Sequence, residues 1–218
     1  TELVDANATK ENLRTKLKEA AAATELQDTL VVFFAGHGAM VGQRYYFLPQ
    51  DLKKEQPRLE DDIRRQGLPA DEISDYLGSA PALKRVLIFD TCASGGALEL
   101  AGGGRSSFAL RGAIERLSRS QGVFTLAASA ANEEAQEAKP LGHGVLSYVL
   151  LAGLGAVDEG PLAGQHIRPN SPERVVDVME WFSYASGHVP RLTERYFGIG
   201  QDVQTSAQGS SFPVLPVE

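Results

Sequence analysis

The 218-residue chain has one cysteine, Cys92, so no disulfide can form within it. Nothing therefore calls for an oxidising compartment, and a cytoplasmic setting is the expectation. Long hydrophobic runs are missing too: none approaches the roughly 20 residues that cross a bilayer, so no membrane is expected as a partner. The N-terminal stretch TELVDANATKENLRTKLKEA is polar and charged, unlike a secretory signal. Positive charge is scarce as well, with 21 Lys and Arg against 28 Asp and Glu and a net charge of −7. A nucleic-acid surface would need clustered Lys and Arg, so no nucleic acid is expected either. No GxGxxG or GxxxxGK[ST] follows an apolar run, which leaves a nucleotide-binding module poorly supported. No internal repeat is present. What remains is an ordinary globular composition, 43% hydrophobic and 22% charged, long enough for one domain with a sizeable core.

Helical and strand signals alternate along that chain. Residues 9 to 23 read as a helix, with Thr9 as N-cap and Leu13 and Leu17 on one face. LVVFFA, 30 to 35, is β-branched and aromatic, apolar on both faces, and suits a central parallel strand. RYYFLP, 44 to 49, is a second arm or a neighbouring strand. The charged stretch 51 to 67 reads as a solvated excursion, and 70 to 79 as a short helix with acids in its first turn. RVLIFD, 85 to 90, is a second apolar strand, and GVFTLAAS, 122 to 129, a third. Between them lie a Gly/Ser-rich linker, 99 to 108, and a basic helix around 109 to 119. An apolar helix is expected over 143 to 154 and a late one from Ser171 and Pro172, before an irregular tail. This alternation predicts an α/β sandwich with a mostly parallel sheet. Chemistry in such sheets gathers at the carboxyl ends of the strands.

His37, in FFAGHG, and Cys92, in IFDTCASGG, both stand just past predicted strand ends. A thiol attacks a carbonyl as its thiolate, which a nearby imidazole favours. Gly36 and Gly38 allow a turn that aims the ring, and Gly95 and Gly96 free the backbone behind Cys92. The alternative is a buried thiol and a turn histidine in a binding domain. GHG recurs at Gly142, His143 and Gly144, where it precedes an apolar helix, so His143 reads as a cap or packing residue. His166 and His188 have no partner pattern.

The paired motifs, an apolar strand ending in His-Gly and a second ending in Asp-x-Cys-x-Ser-Gly, resemble the caspase-like cysteine proteases. The similarity is greatest to metacaspases and prokaryotic caspase homologues, and it covers residues 1 to about 215, including SAANEEAQE and GHGVLSYVLLAGL. It implies the caspase-like (caspase–hemoglobinase) three-layer α/β sandwich as one domain over 1–218. Residues 1–98 would correspond to the large-subunit part, 99–108 to the linker and 109–218 to the small-subunit part. By that similarity Cys92 is the nucleophile and His37 the general acid/base, with the backbone N–H groups of Gly38 and Cys92 as oxyanion hole. A catalytically silent adaptor or interaction module of the same fold is the rival reading.

The resemblance also implies a specificity. Metacaspases carry an aspartate two residues before the nucleophile, here Asp90, and accept arginine or lysine at P1. A carboxylate there would pair with a guanidinium, unless Asp90 merely caps the following turn. Glu133 or Glu134, after Asn132, are candidates for a second acidic wall, or else a solvated helix start. Arg105, in GGGRSS, is a candidate self-cleavage site because proteolysis needs an extended, mobile chain; Arg111 and Arg119 are lesser candidates. No cofactor is required by the sequence. Calcium, needed by many metacaspases, makes Asp61, Asp62 and Asp71 candidate oxygen ligands, against a solvated face diluted by Arg64 and Arg65. Relatives act in regulated cell death and antiphage defence, some on gasdermins, so the expected partner is a protein or peptide with Arg or Lys at P1, a gasdermin-like protein among the candidates. Finally, such folds begin with a strand and helix before the segment that TELVDANATKENL matches. A first strand missing from this chain is expected to leave the sheet open unless an N-terminal fragment or regulatory domain completes it.

Overall fold

The computed structural model describes residues 1–53, 59–93, 112–113, 115, 122–129, 141, 144–171, 173–198, 200–207 and 209–216. Helix α1, Lys10–Ala22, starts where expected: the Thr9 side chain accepts from the Asn12 N–H at 3.3 Å, and Leu13, Leu17 and Ala21 are buried. Strand β1, Thr29–Val41, is longer than the apolar run that announced it. It turns at Gly42, φ +62°, into β2, Arg44–Leu48, so RYYFLP is the second arm of a hairpin. The charged stretch holds more structure than a solvated excursion. Helix α2, Leu59–Gln66, buries Leu59 and Ile63 while its acids precede its arginines, the order its dipole favours. Then follow β3, Leu68–Pro69; α3, Ala70–Ser79; and β4, Lys84–Ala93. After these come β5, Phe124–Ser129, and α4, Val145–Gly153.

The late helix does not begin at Ser171. The Ser171 hydroxyl accepts from the Val175 N–H at 3.0 Å, and Val175–Asp177 form a short strand, β6. The helix, α5, spans Val178–Phe197, where Glu180 accepts from the Asp177 N–H at 3.1 Å, and it stops at Gly198 with φ +71°. The tail is not irregular either. Asp202–Ser206 (β7) pairs antiparallel with β5, and Pro213–Pro216 (β8) pairs with β6. An edge strand is held by backbone hydrogen bonds and needs no apolar run, so DVQTS gave little warning.

The main sheet has the order β3-β2-β1-β4-β5-β7. It is mixed rather than mostly parallel: β1·β4 and β4·β5 are parallel, and the three outer pairings are antiparallel. Alternation along β4 splits the core in two. Val86 and Ile88 pack with Leu146 and Val149 of α4 and Phe182 of α5. Leu87 and Phe89 pack with Leu13 and Leu17 of α1 and Ile73 and Leu77 of α3. Helices thus cover both faces, the three-layer arrangement that the family resemblance implies.

β1 is only half enclosed. Residues 29 to 38 pair with β4, but β2 joins the opposite edge only from His37 onward. Among the described residues no strand pairs along that edge at 29–36, and Val31 and Phe33 are 39% and 46% exposed. A groove of about 300 Å³ runs there, lined by Leu3, Leu13, Leu17, Val31 and Phe33 among others.

The contrast between neighbours gives a stability test. Phe34 is buried and stacks on Phe89 at 5.4 Å between ring centroids. Phe34→Ala is expected to cost about 3–5 kcal/mol in denaturant unfolding, whereas Phe33→Ser is expected to cost under about 1 kcal/mol. Equal losses would show that the exposed face of β1 is covered in solution.

Candidate active site

The register between β1 and β4 brings the two motif residues together: His37 is the Cα partner of Cys92, one rung before Gly38 and Ala93. Facing residues of paired strands lie about 5 Å apart. Neither residue lies beyond its strand, as the sequence suggested, because both ladders continue past them. His37 and Gly38 are gripped from two sides, pairing with Leu48 and Phe47 of β2 as well.

Two glycines flank His37 for different reasons. Gly36 has φ +144°, which side-chain-bearing residues rarely adopt. Gly38 has no such φ, so the free hinge that its type suggested is not its role. A Cβ there would sit 1.9 Å from the Tyr45 hydroxyl oxygen. That hydroxyl is hydrogen-bonded to Thr91 Oγ1, and both residues are buried. β2 and β4 are therefore joined across the bare backbone of Gly38, on the face where Phe34, Phe47, Phe89 and Tyr45 stack. The missing Cβ atoms of Gly36 and Gly38 both point at that cluster. His37, between them, projects from the opposite face and is exposed.

Asp90 projects from the face of His37, toward α4. It accepts from the Ser147 N–H at 3.0 Å and from the Ser147 hydroxyl. Asp90 thus caps the first turn of a distant helix. Burial pushes its carboxyl above the usual carboxylate range, and the two Ser147 hydrogen bonds oppose that rise. Gly144, the last residue of the second GHG, lets the two approach, since a Cβ there would lie 2.6 Å from Asp90 Oδ2.

The remaining candidates separate. Glu133, Glu134, Asn132, Arg105, Arg111, Arg119 and His143 lie outside the described residues, as does the 99–108 linker. Asp61 pairs with Arg64 at 3.3 Å, and the buried Asp62 pairs with Arg65 at 2.5 Å. Asp71 pairs with Arg44, whose guanidinium holds the Asp71 carboxyl below its ordinary value. Three carboxylates each engaged by an arginine do not fit a calcium cage. Among the described residues no three His, Cys, Asp or Glu side chains gather as a metal would need. His166 is exposed, and His188 lies against Tyr184 at 4.3 Å between centroids. Sequence reading missed Ser147, although it is the lone hydroxyl-bearing aliphatic position in the apolar run VLSYVLL. It also missed the Tyr45–Thr91 pair, which no local pattern signals.

Comparison with known proteins agrees with the geometry. The family profile described as Caspase domain matches residues 2–181. The chain is similar in fold to protein GSU0716 from Geobacter sulfurreducens, with a TM-score of 0.52 at 15% identity. That match covers 98% of this chain and 78% of the other. No curated protein matches the chain. Among the described residues no helix is long and apolar enough to cross a membrane.

The packing at Gly38 is directly testable. Gly38→Ala is expected to cost about 1–3 kcal/mol by overpacking against Tyr45. In a Tyr45→Phe background, where the hydroxyl oxygen is gone, the same substitution should cost measurably less. Identical costs in the two backgrounds, read by denaturant midpoint, would refute the contact.

Proposed function

Because the chain belongs to the caspase-domain peptidase family, we propose that it is a cysteine endopeptidase cleaving after arginine or lysine. Its nucleophile is Cys92 and its general acid/base His37. The observation that carries this reading is the facing of His37 and Cys92 across one rung of the sheet.

The steps follow from that pairing. His37 takes the thiol proton and the thiolate attacks the scissile carbonyl, forming a carbon–sulfur bond. In this reading the backbone N–H groups of Gly38 and Cys92 stabilise the oxyanion. Collapse breaks the carbon–nitrogen bond, and His37 returns its proton to the leaving amine. Water, deprotonated by His37, then attacks the thioester and releases the thiol and the new carboxylate.

Specificity for a basic P1 residue rests on Asp90. Among the described residues its carboxylate meets only Ser147 and no cation. A largely buried carboxylate without a counter-charge is costly unless one arrives. A substrate guanidinium or ammonium supplies it. Glu133 and Glu134 belong to the same proposal as a second acidic wall. The proposal extends to self-cleavage at Arg105, to a segment of another polypeptide or domain pairing along the open edge of β1, and to a cytoplasmic role in cell death or antiphage defence with a gasdermin-like substrate.

A fluorogenic peptide panel with Arg, Lys, Gln and Asp at P1, with and without calcium, tests the core of it. Turnover is expected after Arg and Lys and not after Asp. Cys92→Ala should abolish it, and His37→Ala should lower kcat roughly 10²- to 10⁴-fold. Asp90→Asn should reduce kcat/KM for basic substrates about 10- to 150-fold, the loss of one charge-assisted contact. A preference for Asp at P1 would overturn the specificity. Failure of an arginine-directed covalent inhibitor to label Cys92, with no turnover of any peptide, would favour the silent adaptor. Identical intact masses of wild type and Cys92→Ala after long incubation would exclude self-cleavage.

A further inference from the structure

The two oxygens of Asp90 are not equivalent. Both donors of Ser147, its backbone N–H and its hydroxyl, go to Oδ2. Oδ1 has no hydrogen-bond partner among the described residues. A Cβ on Gly144 would also come nearest Oδ2, at 2.6 Å, against 3.3 Å for Oδ1. One carboxylate oxygen is thus turned into the first turn of α4 and occupied, while the other is left to meet a ligand.

Resting on the reading of Asp90 as the P1 receptor, we propose that Ser147 is a positioning residue that sets the balance between arginine and lysine. It withholds one carboxylate oxygen from the substrate. Arginine gains over lysine at a carboxylate chiefly by the fork–fork arrangement, in which two parallel N–H groups bond two oxygens at once. With Oδ2 occupied by Ser147, a guanidinium meets a single oxygen. An ammonium, a compact point charge, needs no more than one. The wild-type enzyme therefore cleaves after either residue with similar efficiency. Ser147 touches neither the scissile bond nor His37, and acts only through the orientation and occupancy of the Asp90 carboxylate. Gly144 is its necessary companion, because any side chain there would displace the oxygen that Ser147 holds.

The test compares two peptides identical except for Arg or Lys at P1, using the full chain. Ser147→Ala frees Oδ2 of the hydroxyl and is expected to raise the Arg:Lys ratio of kcat/KM about 5- to 10-fold, the worth of one added charge-assisted bond. The gain should fall mainly in KM for the arginine peptide, with kcat for the lysine peptide little changed. Ser147→Thr keeps a hydroxyl and should retain the wild-type ratio, which a loss of helix packing would not explain. Gly144→Ala should weaken both peptides alike by moving the carboxylate. An Arg:Lys ratio in Ser147→Ala equal to that of wild type, while Asp90→Asn still abolishes basic preference, overturns the role of Ser147 and leaves the P1 assignment standing. Basic preference that survives Asp90→Asn overturns the P1 assignment, and the inference with it.

Discussion

Ten consecutive pairs, from Thr29 opposite Lys84 to Gly38 opposite Ala93, lock β1 to β4 in parallel, and the candidate site occupies the last two of them. A slip of one residue would carry every side chain of β1 to the other face of the sheet. It would bury His37 among aromatic rings and set Phe34 and its neighbours in solvent. The hydrophobic faces therefore enforce the pairing of His37 with Cys92. Phe34, Leu87 and Phe89 must meet α1 and α3, and Val86 and Ile88 must meet α4 and α5. The site is held in place by packing that has no part in the chemistry.

The two faces of the sheet divide the work around that rung. On one, Tyr45 reaches past the bare Gly38 to Thr91, joining three strands where a side chain on the middle one would not fit. On the other, His37 stands exposed and Asp90 leans on the first turn of α4. A carboxylate at a helix N-terminus meets donors that the helix cannot use itself. This explains how a largely buried acid persists there with Ser147 as its partner among the described residues. The same docking makes its two oxygens unlike, since both Ser147 donors go to Oδ2.

The upper half of β1 shows the opposite situation. Among the described residues its backbone edge at 29–36 has no strand partner on one side, and Val31 and Phe33 are exposed. Unpaired strand edges with apolar neighbours invite another strand. A groove of about 300 Å³, lined by Leu3 and Leu13 among others, lies beside it. The lower half, by contrast, is closed by β2 from His37 onward.

Local sequence was enough for elements whose own residues decide them. The apolar runs at 30–35 and 85–90, the Thr9 cap and the acid-first helix at 70–79 were legible because propensity, capping and burial act over a few residues. The His-Gly and Asp-x-Cys motifs pointed to the family through their resemblance, and the caspase-domain match over residues 2–181 bears that out. Elements decided by distant partners were not. DVQTS became a strand only because β5 offered it an edge, and the start of α5 moved to Val178 because Val175–Asp177 found β8. The sequence by itself determined which residues carry reactive groups and which strands are central. The tertiary structure alone decided that His37 faces Cys92, that Gly38 is small for the sake of Tyr45, and that Asp90 shares its charge with Ser147. Those are contacts between residues 7 to 57 positions apart, and only the joint packing of both faces of the sheet selects them.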